Sequence, residues 1–144
     1  DGKIIDVIPT SQLDLEEKYY QKMPYENPKI SIDNLKEDYF GKIFGTRSGD
    51  KGGCANLGVW AKSQEAYSFL FDFLTVKKLK ELLPDLEKFE IDRFELPNIY
   101  SLNFYVHGIL QDGVSSSTRM DGQAKSLGEY LRAKKINFPE QLLK

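Results

Sequence analysis

Cysteine and histidine are nearly absent from this sequence. Its 144 residues include one of each, Cys54 and His107. A single cysteine cannot form an internal disulfide and fits a reducing compartment, so we expect a cytoplasmic protein. One cysteine and one histidine also fall short of the usual zinc clusters, and we expect no metal site.

Long apolar runs and an excess of positive charge are missing as well. No stretch approaches the roughly 20 apolar residues that a membrane-spanning helix needs. The chain has 22 acidic and 20 basic side chains and a formal net charge of -2 at pH 7. Nucleic-acid-binding domains usually carry a basic face or a high isoelectric point. We therefore expect neither a membrane nor a nucleic acid among the partners.

The composition predicts one globular domain preceded by an arm. Hydrophobic residues make up 40% of the chain, and a chain of this length can bury roughly two-thirds of its unfolded surface. We interpret residues 39–144 as the domain and residues 1–38 as an extended arm or linker from a missing N-terminal domain. Pro24 and Pro28 favour this interpretation, because each disfavours helix at the residue before it. The alternative is that residues 1–38 form a strand-bearing part of the same fold.

Hydrophobic periodicity predicts the helices and strands. Ser63, Thr75 and Asp121 each precede a stripe of apolar residues at helical spacing and are the predicted caps. The predicted strands are 4–8, 42–46, 56–62, 89–96 and 102–110, and the predicted helices are 13–20, one after Ser63, 76–83 and one after Asp121. The alternation shifts phase between Ile91 and Phe94, which predicts a bulge or a bend.

The order of these elements predicts a ferredoxin-like α+β fold. From the second strand of the domain the order is β-α-β-β-α, and the first strand can take the place of the missing last strand. We expect a two-layer sandwich with a mainly antiparallel sheet and helices on one face only. The other face would then be free for the arm, a second copy or a partner.

A polar, glycine-rich segment at residues 46–56 is the first candidate site. It is interpreted as a loop between two strands, too long for a tight hairpin, in which glycines expose backbone N–H groups and Arg47 and Lys51 supply positive charge. It matches neither the dinucleotide fingerprint nor the P-loop, so we expect no cofactor. The alternative is a long turn in which Ser48 and Asp50 cap backbone groups. The predicted anion-binding residues of this segment are Arg47, Ser48, Gly49, Lys51, Gly52 and Asn56.

Outside that segment, His107 is the main candidate for chemistry. It is the only imidazole and alternates with Asn103 and Tyr105 on one strand face, where it can serve as acid or base. The alternative is a strand histidine bonded to a neighbouring carbonyl. Asp50 is the second catalytic candidate, and Asn103 is a further ligand-binding candidate. The acidic residues between 87 and 95 are interpreted as a solvated edge.

Arg119 is the second predicted anion clamp. It follows four hydroxyl residues at 115–118, just before the predicted last helix. Hydroxyls, backbone N–H groups and a guanidinium can together hold a carboxylate or phosphate. The alternative is that the hydroxyl residues only cap the helix.

Several separated blocks of the sequence resemble the C-terminal domain of the acyclic terpene utilisation protein A (AtuA) family. They are Arg47-Ser48-Gly49-Asp50-Lys51-Gly52, Ala55-Asn56, Gly58-Val59, Phe73-Leu74-Thr75, Phe94-Glu95-Leu96-Pro97-Asn98, Leu102-Asn103-Phe104, His107-Gly108 and Gln123-Ala124-Lys125. The resemblance covers about residues 39–139 and implies a small ferredoxin-like domain, usually the tail of a longer protein. It implies a role in the breakdown of acyclic terpenes, whose acids are handled as acyl-CoA thioesters, but no established catalytic residue.

Two hypotheses follow for function. The first is a domain that binds a small anionic ligand, an acyl-CoA or terpenoid acid, or assists in its chemistry; whether a bond is made or broken is left open. The second is a non-catalytic assembly module. It would pair with a second copy, as a homo-oligomer, or dock a large AtuA-type domain or subunit.

Overall fold

A computed structural model describes residues 25–144. The strand and the helix predicted at 4–8 and 13–20 lie outside the described residues. The strands are β1 (Leu35–Tyr39), β2 (Gly45–Lys51), β3 (Cys54–Trp60), β4 (Ile91–Leu96), β5 (Ser101–Val106) and β6 (Lys135–Pro139); the helices are α1 (Gln64–Phe73), α2 (Val76–Leu82) and α3 (Leu127–Arg132). Within residues 25–144, none of the helices has the length and apolar character required to cross a membrane.

Two of the three helices begin at the predicted caps. The hydroxyl of Ser63 accepts a hydrogen bond from the backbone N–H of Ala66, at 3.2 Å, and opens α1. Thr75 does the same for α2 through the N–H of Lys78, at 3.1 Å. Each hydroxyl satisfies an N–H that the first helical turn leaves unpaired. The cap predictions at Ser63 and Thr75 are therefore confirmed.

The main sheet has the ferredoxin-like strand order. Its four strands lie in the order β2-β3-β5-β4, and every neighbouring pair is antiparallel. β2 lies at the edge of the sheet, beside β3. When the order is read from β3, this edge is the position of the last strand of a ferredoxin-like sheet. The predicted α+β sandwich, rearranged in chain order, is confirmed.

A second, two-stranded sheet was not predicted. β1 pairs with β6, antiparallel, with Leu35 opposite Pro139. The predicted boundary after residue 38 falls inside β1, so the fold includes residues earlier than 39. Residues before β1 also contact the domain, because the ring centroid of Tyr25 lies 5.5 Å from that of Tyr67 in α1.

The hairpin between β2 and β3 corrects the loop predicted at 46–56. β2 extends to Lys51, which pairs with Cys54, so the turn consists of Gly52 and Gly53 alone. Gly52 has a φ of 61°, and a positive φ at the first position is what a tight hairpin of type II′ requires. The prediction of a long loop is wrong because Gly49 and Asp50, interpreted as turn residues, pair with Asn56 and Ala55 in the ladder.

The predicted bulge in β4 is also absent. The strand pairs with β5 residue by residue, from Ile91 opposite Val106 to Leu96 opposite Ser101. Arg93 takes a core-facing position, where it donates to the carbonyl of Phe71 at 2.7 Å and to the carboxylate of Glu95 at 2.7 Å. A polar pair therefore occupies positions that the pattern assigns to apolar side chains.

The last predicted helix begins later than its cap. α3 starts at Leu127, and the carboxylate of Asp121 accepts hydrogen bonds from the N–H groups of Lys125 and Ser126 in the turn before it. Asp121 thus caps a turn rather than the helix.

β5 is shorter than predicted. It ends at Val106, four residues before the predicted end, and the chain turns at Gly108, whose φ is 64°.

Alkaline pH should destabilise the fold through Tyr67. Burial, and then the nearby Tyr25 and Glu95, raise the pKa of Tyr67 to about 12, from an ordinary value of 10.0. Below pH 10 both folded and unfolded chains keep the proton. Between pH 10 and 12 only the unfolded chain loses it, so the free energy of unfolding should fall by about 1.4 kcal/mol per pH unit.

Urea unfolding of the Tyr67→Phe variant beside the parent chain, at pH 9 and at pH 11.5, isolates this effect. Other tyrosines and lysines titrate in both proteins and cancel in the difference. The variant should gain about 2 kcal/mol relative to the parent over this range. An unchanged difference between the two pH values would show that Tyr67 titrates normally.

Candidate functional site

The face of the main sheet that points away from the core is called here the open face. Successive side chains of a strand point to opposite sides, and Leu57 and Phe104 are fully buried on the core side. The pairing register therefore assigns the residues between such positions to the open face. They are Gly45, Arg47, Gly49 and Lys51 of β2; Cys54, Asn56, Gly58 and Trp60 of β3; Ser101, Asn103 and Tyr105 of β5; and Asp92, Phe94 and Leu96 of β4.

Most of the predicted site residues meet on the open face. Arg47, Gly58 and Asn103 lie side by side in one row across β2, β3 and β5. In the next row the amide of Asn56 donates to the side-chain oxygen of Asn103, at 3.4 Å. His107 follows β5 and extends the pairing, because its N–H donates to the carbonyl of Glu90 at 3.0 Å.

A shallow hollow lies over Gly58. A Cβ atom built on Gly58 would meet one atom within 4 Å, the carbonyl oxygen of Arg47, at 3.6 Å. The side chains of Arg47, Asn56 and Asn103 surround this space by their register. Arg47 is exposed, and its side chain makes no hydrogen bond or ion pair with any residue in the range 25–144. The hollow thus combines an unpaired cation with two amides.

Apolar side chains lie at one end of the same face. Trp60 is 40% exposed, Phe94 52% and Leu96 42%. The indole of Trp60 lies directly over the backbone of Gly45, where a Cβ would collide with it. The open face is therefore amphiphilic, with an aromatic end next to the polar hollow.

His107 has a carboxylate partner at the other end. Its Nε2 lies 2.8 Å from Oδ2 of Asp92, and both side chains are partly exposed. Tyr105 packs edge-on against the imidazole, with ring centroids 4.9 Å apart, and a hydrogen bond with Cys54 raises the pKa of Tyr105. Asp92 orients the ring and leaves its other nitrogen for proton transfer.

Sequence reasoning misses Asp92. The pattern groups it with a solvated acidic edge, because the supposed phase shift leaves its face undefined. The unbroken register of β4 places it opposite Tyr105 and beside His107. Strict alternation from Ile91 would have assigned it correctly.

Ser48, Asp50 and Arg119 lie elsewhere. Ser48 and Asp50 alternate onto the core side of β2, so Asp50 does not share a face with His107. The hydroxyl of Ser48 accepts from the N–H of Gly128, at 2.9 Å, and donates to the carbonyl of Lys125, at 3.1 Å, which ties α3 to the sheet. Arg119 lines an open cavity of about 380 Å³ together with Asp85 and Tyr130.

The remaining predicted site residues belong to the hairpin, and none of them lines the largest described cavity. Gly52 belongs to the hairpin turn and Gly49 to the ladder, so the predicted loop cradle of backbone N–H groups is not formed. Lys51 stays on the open face, where its ammonium donates to the carbonyl of Asp50 at 2.9 Å. A larger cavity of about 640 Å³, lined by Lys42, Lys62 and Ser63 among others, contains none of the predicted site residues.

Comparison with known proteins places most of the chain in one family. A scan against protein-family models matches the AtuA ferredoxin-like domain over residues 40–137. Searches of the curated proteins and of the solved structures found no match. The matched range includes every residue of the open face.

Proposed function

Because the chain belongs to the AtuA ferredoxin-like domain family, we propose that it binds an amphiphilic organic acid on the open face. The observation that supports this most is the hollow over Gly58, bounded by Arg47, Asn56 and Asn103 and continuous with the exposed aromatic end. A terpenoid acid, or its acyl-CoA thioester, combines an anion with a branched apolar chain in the same way.

The polar part of the site suits a carboxylate or a phosphate. A guanidinium presents planar N–H donors that match either group, and a hydrogen bond to a charged group contributes about 1.5–3 kcal/mol. Arg47 has no competing carboxylate within residues 25–144. The amides of Asn56 and Asn103 already touch each other and can present one donor to the ligand.

The apolar part of the site suits a branched chain. Trp60, Phe94 and Leu96 form a surface beside the hollow that is exposed to water. Covering apolar surface contributes about 25 cal/mol per Å². An isoprenoid chain lying from Gly58 toward Trp60 would remove these groups from water while its acid group stays on Arg47.

An accessory catalytic role is compatible with the same site. The pair of His107 and Asp92 lies on the open face, with a partly exposed imidazole. Such a pair can accept or donate one proton only at a part of the ligand that extends from the hollow two rows along the sheet, toward His107. The same proposal includes a cytoplasmic location, because the free thiol of Cys54 fits a reducing compartment.

The test is a thermal-shift and calorimetric titration of the chain with citronellate, geranate, a branched acyl-CoA and inorganic phosphate. A ligand at 100 times its dissociation constant should stabilise the fold by about 2.7 kcal/mol. Arg47→Ala should weaken binding by about tenfold or more, since it removes the charged donor. The matched control is Lys36→Ala, which removes an exposed cation on β1, outside the main sheet.

A second variant fills the hollow without changing the charge. Gly58→Val adds a side chain into open space at a position of ordinary φ, and valine suits a strand. It should retain stability and lose affinity for the acid. Full affinity in both Arg47→Ala and Gly58→Val, or equal weakening in Lys36→Ala, would show that the ligand does not bind at the hollow.

A further inference from the structure

The geometry points to a second copy of this chain as the cover of the open face, related to the first by a two-fold axis that runs parallel to the strands. The inference deepens the proposed function and rests on it for one step, the closing of the ligand hollow. The pairing itself is argued from the charges and the apolar side chains of the face alone.

The open face lacks a cover within residues 25–144. Trp60, Phe94 and Leu96 keep 40%, 52% and 42% of their surface exposed. The hollow over Gly58 is also shallow, whereas ligand sites usually enclose most of a small molecule. A cover would bury the aromatic end and deepen the hollow at the same time.

Opposite charges lie on the two edges of this face. Arg47 and Lys51 lie on β2, one edge of the sheet. Asp92 lies on β4, the other edge, and Glu90 precedes it at the position opposite His107. All four side chains are exposed. The edges are three strand spacings apart, about 14 Å, so the charges do not neutralise one another within one copy.

A two-fold axis parallel to the strands makes these edges complementary. Rotation about it places β2 over β4 of the second copy and keeps the rows in register. Lys51 then meets the partner's Glu90, and Arg47 meets the partner's Phe94 with the partner's Asp92 one row away. Because the interface is isologous, each contact occurs twice.

The other face-to-face arrangement is unfavourable. An axis across the strands places β2 over β2 and β4 over β4. Arg47 and Lys51 of both copies would gather at one edge and their acidic counterparts at the other. Like charges brought together at an interface cost several kcal/mol. Charge thus selects the axis parallel to the strands.

The apolar end of the face favours the same axis. The indole of Trp60 lies over Gly45 on the edge strand β2, so the rotation brings it opposite the partner's Leu96 on β4. Gly58 lies opposite the partner's Asn103, which covers the hollow with a polar side chain. Apolar side chains of one copy therefore meet apolar side chains of the other, and both are removed from water.

Sedimentation velocity of the chain without ligand, from low to high micromolar concentration, tests the pairing. The chain should dimerise. Lys51→Glu alone and Glu90→Lys alone should each raise the dimer dissociation constant by about tenfold or more, since each replaces two attractive contacts by two repulsive ones. Circular dichroism checks that both exposed substitutions leave the fold intact.

Complementation provides the sharper readout. An equimolar mixture of Lys51→Glu and Glu90→Lys should form a heterodimer, because at both contacts a glutamate of one copy then meets a lysine of the other. The double variant carrying both changes should dimerise with itself. A monomer at all concentrations, or single variants that dimerise like the parent, would overturn the inference. These measurements contain no ligand, so they fail or succeed independently of acid binding.

Discussion

Truncation of Phe44 to alanine should cost about 3–5 kcal/mol of unfolding free energy. Phe44 is 1% exposed, and its ring centroid lies 4.8 Å from that of Phe40, 6.4 Å from that of Phe69 and 5.9 Å from that of Phe138. These rings join the two-stranded sheet to α1. The cavity left by the ring would open between β6 and α1, among the rings of Phe40, Phe69 and Phe138.

Urea unfolding followed by Trp60 fluorescence measures this loss. Domains of this size are stable by about 5–15 kcal/mol, so the variant should lose a large part of the total. The matched control is Phe94→Ala, the same truncation on the open face, where Phe94 is 52% exposed. In the unpaired chain it should cost less than about 1 kcal/mol. Equal losses in the two variants would place Phe44 outside the core.

Alternation was sufficient for predicting β3 and β5 but not the small sheet. β3 and β5 show buried residues at every second position, and a half-buried sheet produces this pattern directly. β1 and β6 are five residues each, and β1 has no fully buried residue. Their pairing depends on contacts between residues about 100 positions apart. Local sequence patterns do not show such contacts, because they depend only on neighbouring residues.

The sequence predicts several residues of the candidate site but not the surface on which they meet. Arg47, Asn56, Asn103 and His107 were each singled out by residue type, and the register brings them to one face. The glycines were interpreted as a flexible loop, whereas Gly49 lies within a strand. A glycine in a strand leaves the same sequence signal as a glycine in a turn, and only the pairing distinguishes them.

Gly53→Ala should cost about 2–4 kcal/mol. A Cβ on Gly53 would lie well inside 3.0 Å of the carbonyl oxygen of Gln111, a backbone atom that cannot rotate away. The hairpin turn and the loop after His107 would have to separate, and the hydrogen bond from the N–H of Leu110 to the carbonyl of Gly53, now 2.9 Å, would break. Overpacking and one lost buried hydrogen bond together give this magnitude.

Gly49→Ala is the matched control, because the same methyl group enters open space four residues earlier on the same strand pair. No atom lies within 4 Å of a Cβ there, and its φ is not positive. The substitution should be neutral or stabilise the fold by about 0.4–1 kcal/mol, through the reduced freedom of the unfolded chain. Urea unfolding of the two variants should therefore give clearly different effects, a large loss for Gly53→Ala and none for Gly49→Ala. A similar loss in both would mean that glycine is needed for strand β2 itself, and the contact between Gly53 and Gln111 would no longer explain the cost.

The contact between Gly53 and Gln111 also positions the chain next to Cys54 and His107. Gly53→Ala should therefore disturb the pair of His107 and Asp92, which Gly49→Ala leaves unchanged.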